Sequence, residues 1–237
     1  MLQPHNYPKM IGQALVFEPD PFVVMADDDN PWIEGLFFTA VIGFAVAIAQ
    51  IIGGFLLSAI LPAPAALLEA FLQVVRQVQP AGFTGPELLA MESSIRQWWP
   101  TLTGFYSYGN GWARLFLLVV TPLSLVIQWV LYGVVSHLVA KSMGGTGSLG
   151  QTLGVTALSI APRIFLLVTA IPFASVGWLL LQVWGILIAY RGLEVAHDLG
   201  VRKAAVAALF PILILMLVSF LGAALVASLL ALSGGGL

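Results

Sequence analysis

Between positions 35 and 61 the chain carries no Asp, Glu, Lys or Arg. About 20 apolar residues in a helix cross the ~30 Å hydrocarbon layer of a bilayer. The pattern recurs, with further apolar runs at about 115–140, 150–171, 175–193 and 204–231. In hydrocarbon every backbone N–H and C=O needs a partner within the protein, so runs of this length are expected as helices. Composition closes the alternative of a water-soluble globule. With 59% hydrophobic and 8% charged residues, against about 25% charged in soluble domains, the chain has too little polar surface to wrap itself in water. It reads as an all-α integral membrane protein with five transmembrane helices plus short interfacial amphipathic helices.

The same composition excludes several classes of function. No cysteine is present, so disulfides, zinc–thiolate sites and iron–sulfur clusters are ruled out. A net charge of −2 and the lack of any basic run leave no surface for nucleic acid. The first apolar run follows an acidic stretch rather than a short basic one, so a signal peptide is not expected. No HExxH pair, GxSxG elbow or cysteine nucleophile occurs, and His5, His137 and His197 are expected at different depths. The chain is therefore not expected to be an enzyme or to hold a metal or cofactor.

Residues 1–34 read as a cytosolic or interfacial segment, and 35–237 as the membrane domain. In the first, Met10, Ile11, Ala14 and Leu15 make one helical stripe. Asp20 is placed to cap a second short helix, with Pro21 at its first position. Asp27, Asp28, Asp29 and Asn30 before Pro31 read as a solvated acidic turn. Trp32 is an interfacial anchor. Ala45, Ala49 and Gly53, and again Ala223, Ala227 and Ala231, fall four apart. These are small-residue faces on which another membrane protein or a second copy can approach. Positions 64–114 read as an outer interfacial loop with two amphipathic helices lying in the interface plane. Thr84 and Glu87 have capping-box spacing, and Tyr106, Tyr108 and Trp112 anchor the loop at the interface. His137, one turn from the end of its span, is expected among headgroups.

Three features draw attention between 144 and 204. Gly145, Gly147 and Gly150 match a dinucleotide fingerprint by letters only. No strand precedes them, and no acidic residue follows until Glu194, so a tight turn is the expected role. Arg163 lies mid-span, nine positions before Pro172, and Gln182 lies ten after it. At 1.5 Å per residue both sit roughly 14 Å from that turn, so they are expected to meet. Arg163 either snorkels and bonds Gln182 and carbonyls freed near Pro162, or forms an anionic-lipid or small-anion site. Finally, Arg191, Glu194, His197, Asp198, Arg202 and Lys203 form a charged rim that can meet protein partners or headgroups. Glu194 and His197 are three apart on one face, where they can act as an acid–base pair or cap the helix, with Gly200 as the left-handed stop. Lys141, Arg191, Arg202 and Lys203 on one side, against Arg114 close to a span on the other, favour a cytoplasmic N-terminus and an outside C-terminus.

The chain resembles the Yip family of polytopic membrane proteins, named for interaction with Ypt/Rab GTPases, in its prokaryotic branch. The residues that carry the resemblance are Pro21-Phe22, Pro31, the glycine-rich turn 144–150, Pro162, Ile171-Pro172 and Trp184. They continue through Gly192-Leu193-Glu194, His197, Leu199-Gly200 and Lys203-Ala204. The resemblance implies a five-span helical bundle with a cytosolic N-terminus, in a prokaryotic cell membrane. Eukaryotic members act in vesicle traffic, membrane shaping and partner recruitment and have no established catalytic centre. GTPase binding does not carry over to a prokaryotic chain. Arg163 departs from the apolar residue expected there, and the N-terminal segment is short. The expected function is that of a non-catalytic membrane protein acting by association: a scaffold, a membrane organiser or an accessory subunit. The alternative is a small-molecule or lipid transporter or channel centred on Arg163.

Overall fold

A computed structural model describes residues 4–78, 85–105 and 111–234, and every regular element among them is helical. Four helical stretches are long and apolar enough to cross a membrane: Pro31–Ile60, Arg114–Ser142, Leu149–Ala170 and Trp178–His197. Over the fifth apolar run lies one continuous helix, Val201–Gly234, with Pro211 inside it. The chain divides into two compact units, Met1–Gly43 with Pro122–Phe165 and Val176–Leu237, and Phe44–Thr121 with Leu166–Ser175.

In the first unit, helices α1 (Tyr7–Leu15) and α2 (Asp20–Ala26) precede α3 (Pro31–Ile60). Asp20 does not cap α2. It is already helical, Pro19 occupies the cap position, and no side-chain cap bond forms, because capping needs a non-helical residue in front of the first turn. The acidic turn forms as expected, with the Asn30 amide donating to Asp28 Oδ1 at 2.8 Å. That bond holds the Asp28 carboxyl below its ordinary range. Both short helices dock on membrane helices of this unit. Phe22 and Met25 are fully buried, and Phe22 lies against Gly192. Trp184 donates its indole N–H to the Leu15 carbonyl at 3.0 Å, and the Gln151 amide donates to the Ala26 carbonyl at 3.3 Å. Tyr7 stands edge-on to Phe38 with centroids 5.2 Å apart. Its burial, with the Glu34 carboxylate beside its hydroxyl, raises the phenol above its usual pKa.

Beyond α4 (Pro64–Val78) and α5 (Gly85–Phe105) of the second unit, helices α6 (Leu117–Ser142), α7 (Leu149–Ala157), α8 (Trp178–His197) and α9 (Val201–Gly234) supply the rest of the first unit. The run read from sequence as one span at 150–171 changes character partway. At Leu158 the α-helix gives way to a 3-10 helix, Leu158–Ala170. Pro162 lies within it, and proline has no N–H to continue an α-helical ladder. Runs of 3-10 helix beyond three or four residues are uncommon; this one is 13 residues long. Helix α7 is started by a capping box that joins Ser148 and Gln151 in both directions.

The second unit holds α4 (Pro64–Val78) and α5 (Gly85–Phe105). The amphipathic stripes expected here exist and are cross-tied. Arg76 grips Glu92 through two bonds of 2.6 and 2.5 Å, and Arg96 grips Glu69 at 2.6 and 3.1 Å. Trp99 stacks on Phe71 and donates to the Pro64 carbonyl at 2.9 Å. Thr84, Tyr106 and Tyr108 and the side chain of Trp112 lie outside the described residues. Arg114 is buried, donates to Ser58 Oγ, and lies 5.2 Å over the Phe55 ring.

The α3 small-residue face is occupied from within this unit. A Cβ on Gly53 would stand 1.8 Å from the Thr169 carbonyl oxygen, and Ala49 is buried. The expectation that this face receives another protein is corrected accordingly: close approach is what Gly permits here, and the approaching backbone is the chain's own. On α9, the side chains of Ala227 and Ala231 lie outside the described residues.

Candidate functional site

The polar residues singled out from sequence in the first unit lie around two places. The first is where α8 ends. Asp198 closes α8 in the left-handed conformation (φ 51°, ψ 44°), and the Leu199 amide bonds back to the Glu194 carbonyl at 3.3 Å. Gly200 is not the left-handed stop expected from sequence. The chain reverses two residues earlier, at a residue type that tolerates this conformation better than most.

Beneath this end runs the glycine turn. Gly144 takes φ +90°, and a Cβ on Gly147 would come within 2.4 Å of the Ala196 carbonyl oxygen. One on Gly145 would come within 2.6 Å of His197 Nδ1. These glycines let the backbone lie flat on the last turn of α8, where Thr146 donates its amide to the His197 carbonyl at 3.1 Å. The close approach explains the glycines without any nucleotide.

His197 is fully buried, and its Nε2 lies 2.7 Å from Thr152 Oγ1. His137 Nδ1 lies 2.8 Å from the same oxygen. The two imidazoles are 5.4 Å apart, so the expectation of histidines at different depths fails for this pair. His137 itself is half-buried, one turn from the end of α6. Thr152 has one proton, and it points at the Ser148 carbonyl at 2.8 Å, which can only accept. With the hydroxyl proton on that carbonyl, both histidines donate to the Thr152 lone pairs. His197 Nδ1 is left as an acceptor with no partner among the described residues. Glu194 does not join this group. It pairs with Arg191 one turn back, so the imagined acid–base pair of Glu194 and His197 does not form.

At the surface of the same end, Arg202 and Lys203 are exposed, and Lys203 Nζ donates to the Met143 carbonyl at 2.8 Å. Gly144, Asp198, Gly200, Arg202 and Lys203 line a shallow depression of about 350 Å³. Of the six rim residues singled out from sequence, Asp198, Arg202 and Lys203 thus share one open surface. Arg191 and Glu194 neutralise each other, and His197 is withdrawn into the interior.

The second place is around Arg163. Its Nη2 lies 3.5 Å from Gln182 Oε1 and 3.4 Å from Gln128 Oε1. The meeting with Gln182 matches the spacing of the sequence. Gln128, on α6, joins them from a helix that spacing about the Pro172 turn does not relate to either. No carboxylate pairs with Arg163 among the described residues. A cavity of about 360 Å³ opens beside the guanidinium, with Ser159, Ile160, Leu181 and Trp178 among its walls. Gln128 lies in the middle of α6, about 21 Å from Ser142 and about 17 Å from Leu117 along the helix axis. Among the described residues, no group of three or more metal-ligating side chains comes together.

The spans and their lipid-suited surfaces define an integral membrane protein. Within that class the chain belongs to the Yip1 domain family, whose model matches residues 14–223. Comparison with curated proteins and with solved structures gives no match.

Proposed function

We propose that this protein is a non-catalytic member of its family that acts by association, as a scaffold, membrane organiser or accessory subunit in a prokaryotic cell membrane, with its N-terminus cytoplasmic. The observation that supports this is the separation of its polar groups. Along α8 the Gln182 level and the His197 level are fifteen residues, or about 22 Å, apart. Buried Val155, Leu158, Ile188 and Leu193 occupy the positions between, on α7, the 3-10 helix and α8. A conduit for a polar solute needs polar or ionisable groups through the layer; here the fully buried side chains between the two levels carry no charge, and the Thr156 hydroxyl among them is turned back onto its own helix, donating to the Thr152 carbonyl. The docking edge is the depression carrying Asp198, Arg202 and Lys203, where backbone-anchored charge faces out beside the glycine turn.

The test is extraction in a gentle detergent followed by native mass measurement, with Arg202→Glu as the variant. Among the described residues Arg202 makes no hydrogen bond or ion pair that its reversal would break. The expected result is a stoichiometric second subunit on the wild-type chain that the variant loses while remaining monodisperse. A bare monomer in the wild type, or a variant that keeps its subunit, overturns this reading. The mid-span cavity favours transport as the second reading. Uptake of a solute by proteoliposomes holding this chain alone is the result that would select it.

A further inference from the structure

We propose that the Arg163 cavity binds the anionic head of a lipid-like amphiphile, a carboxylate or phosphate carried on a hydrocarbon chain. Arg163 is a permanent cation placed near the middle of the spanning layer, where an unpaired charge is costly. Its contacts to Gln128 and Gln182, at 3.4 and 3.5 Å, lie beyond the usual 2.7–3.2 Å of an N–H···O bond. A guanidinium has five N–H donors in a fork suited to two oxygens of one anion. Two long contacts to neutral amides leave most of that capacity unused. Both glutamines also line the cavity, and each side-chain amide carries two N–H donors besides the oxygen it turns to Arg163. Among the described residues no carboxylate meets the guanidinium.

The rest of the cavity decides what kind of anion fits. Ile160, Leu181, Ile186 and Ile212 form apolar walls, and the rim includes Leu131 and Trp178, 54% and 67% exposed. These two lie on surfaces of α6 and α8 suited to lipid, so the mouth faces hydrocarbon rather than water. A free inorganic anion would have to shed its hydration and would leave the apolar walls uncovered. An amphiphile arrives through the hydrocarbon, sets its head on the guanidinium and lays its first methylenes along those walls. Ligand sites of this size ordinarily combine apolar lining with a few converging polar groups.

The test uses the full chain, delipidated in detergent, with oleate, phosphatidic acid, a neutral diacylglycerol and inorganic phosphate as separate probes, read by native mass spectrometry. The expected result is one bound oleate or phosphatidic acid per wild-type chain and no retention of diacylglycerol. Arg163→Leu is expected to weaken that binding by about tenfold or more. Arg163→Lys keeps the charge but loses the fork, and its binding should fall between the two. If Arg163→Leu does not yield monodisperse protein, Arg163→Lys and Gln182→Leu carry the comparison, each expected to weaken binding. Arg202→Glu should bind like the wild type, which keeps this result independent of the docking edge. Equal binding by wild type and substituted chains, equal retention of the neutral lipid, or binding of inorganic phosphate alone would each overturn the proposal.

Discussion

At Thr152 a single hydroxyl serves three partners. Its oxygen lies 2.8 Å from the Ser148 carbonyl and 2.8 and 2.7 Å from ring nitrogens of His137 and His197, and with its proton on the carbonyl it accepts from both rings. The sequence shows each histidine near the end of a span and no more. What joins them is the place where α7 starts, and that is set by the Ser148–Gln151 capping box, a spacing visible in the letters but easily masked by the glycines around it. Arg114 was equally hard to foresee. A basic residue at the head of an apolar run reads as an interface marker, yet Gly54 makes room for its side chain and the residue is buried. Arg163 and Gln182 were legible from their near-equal separation from Pro172, although Arg163 lies on a 3-10 helix that rises about 2.0 Å per residue rather than 1.5 Å. The Thr152 arrangement predicts a difference between two substitutions. Thr152→Val keeps the shape but leaves two imidazole N–H groups without an acceptor, and each unmet buried donor costs about 1–3 kcal/mol. Thr152→Ser keeps the oxygen. Thermal unfolding in detergent should show a clear fall in Tm for the valine variant and a small one for serine; equal Tm values would refute the shared-acceptor geometry.

Among elements, the amphipathic pair α4 and α5 was legible from its stripes, while the ties between them were not. Arg76 and Glu92 are sixteen positions apart, too far for any helical periodicity to relate them. The 3-10 helix was invisible for a different reason: hydropathy records which residues are apolar, not how tightly the backbone is wound around Pro162. The ties make α4–α5 sensitive to acid in a defined direction. Hydrogen bonds from Arg96 and Arg76 hold the Glu69 and Glu92 carboxyls, respectively, below their usual pKa. A carboxylate whose pKa is lowered on folding contributes stability above its unfolded value, about 4.3 for Glu. That contribution disappears as the pH falls through the lowered folded value. Amide exchange in α4 and α5, corrected for intrinsic rates, should therefore be constant between about pH 7 and pH 5 and accelerate below about pH 4. Glu92→Gln should give faster exchange already at neutral pH and a flatter acid response; a wild-type profile without acid sensitivity would contradict the pairing.

For the whole molecule, the apolar runs place the spanning segments almost wholly from sequence, because lipid allows few alternatives to a helix. The docking of α1 and α2 is not legible in the sequence, since an amphipathic stripe suits the membrane surface and the other helices alike. The deciding residues are Phe22 and Met25, which lie fully buried in the first unit, with Gly192 leaving room for the Phe22 ring. The ring is fully buried against the neighbouring helices, and truncating it removes that packing. Removing the ring should therefore cost about 3 kcal/mol, the low end for Phe→Ala in a packed interior. The loss should be local. Phe22→Ala leaves the bonds from Trp184 and Gln151 to the ends of α1 and α2 as the remaining polar ties, and the acidic turn at Asp27–Asn30 becomes the hinge. Limited proteolysis should then cut between Met25 and Pro31 many times faster than in the wild type, while the fragment from α3 onward stays folded and monodisperse. Cleavage at the wild-type rate would mean that α1 and α2 are held by something other than the Phe22 contact. Collapse of the whole chain would mean that the N-terminal helices are part of the spanning core rather than docked upon it.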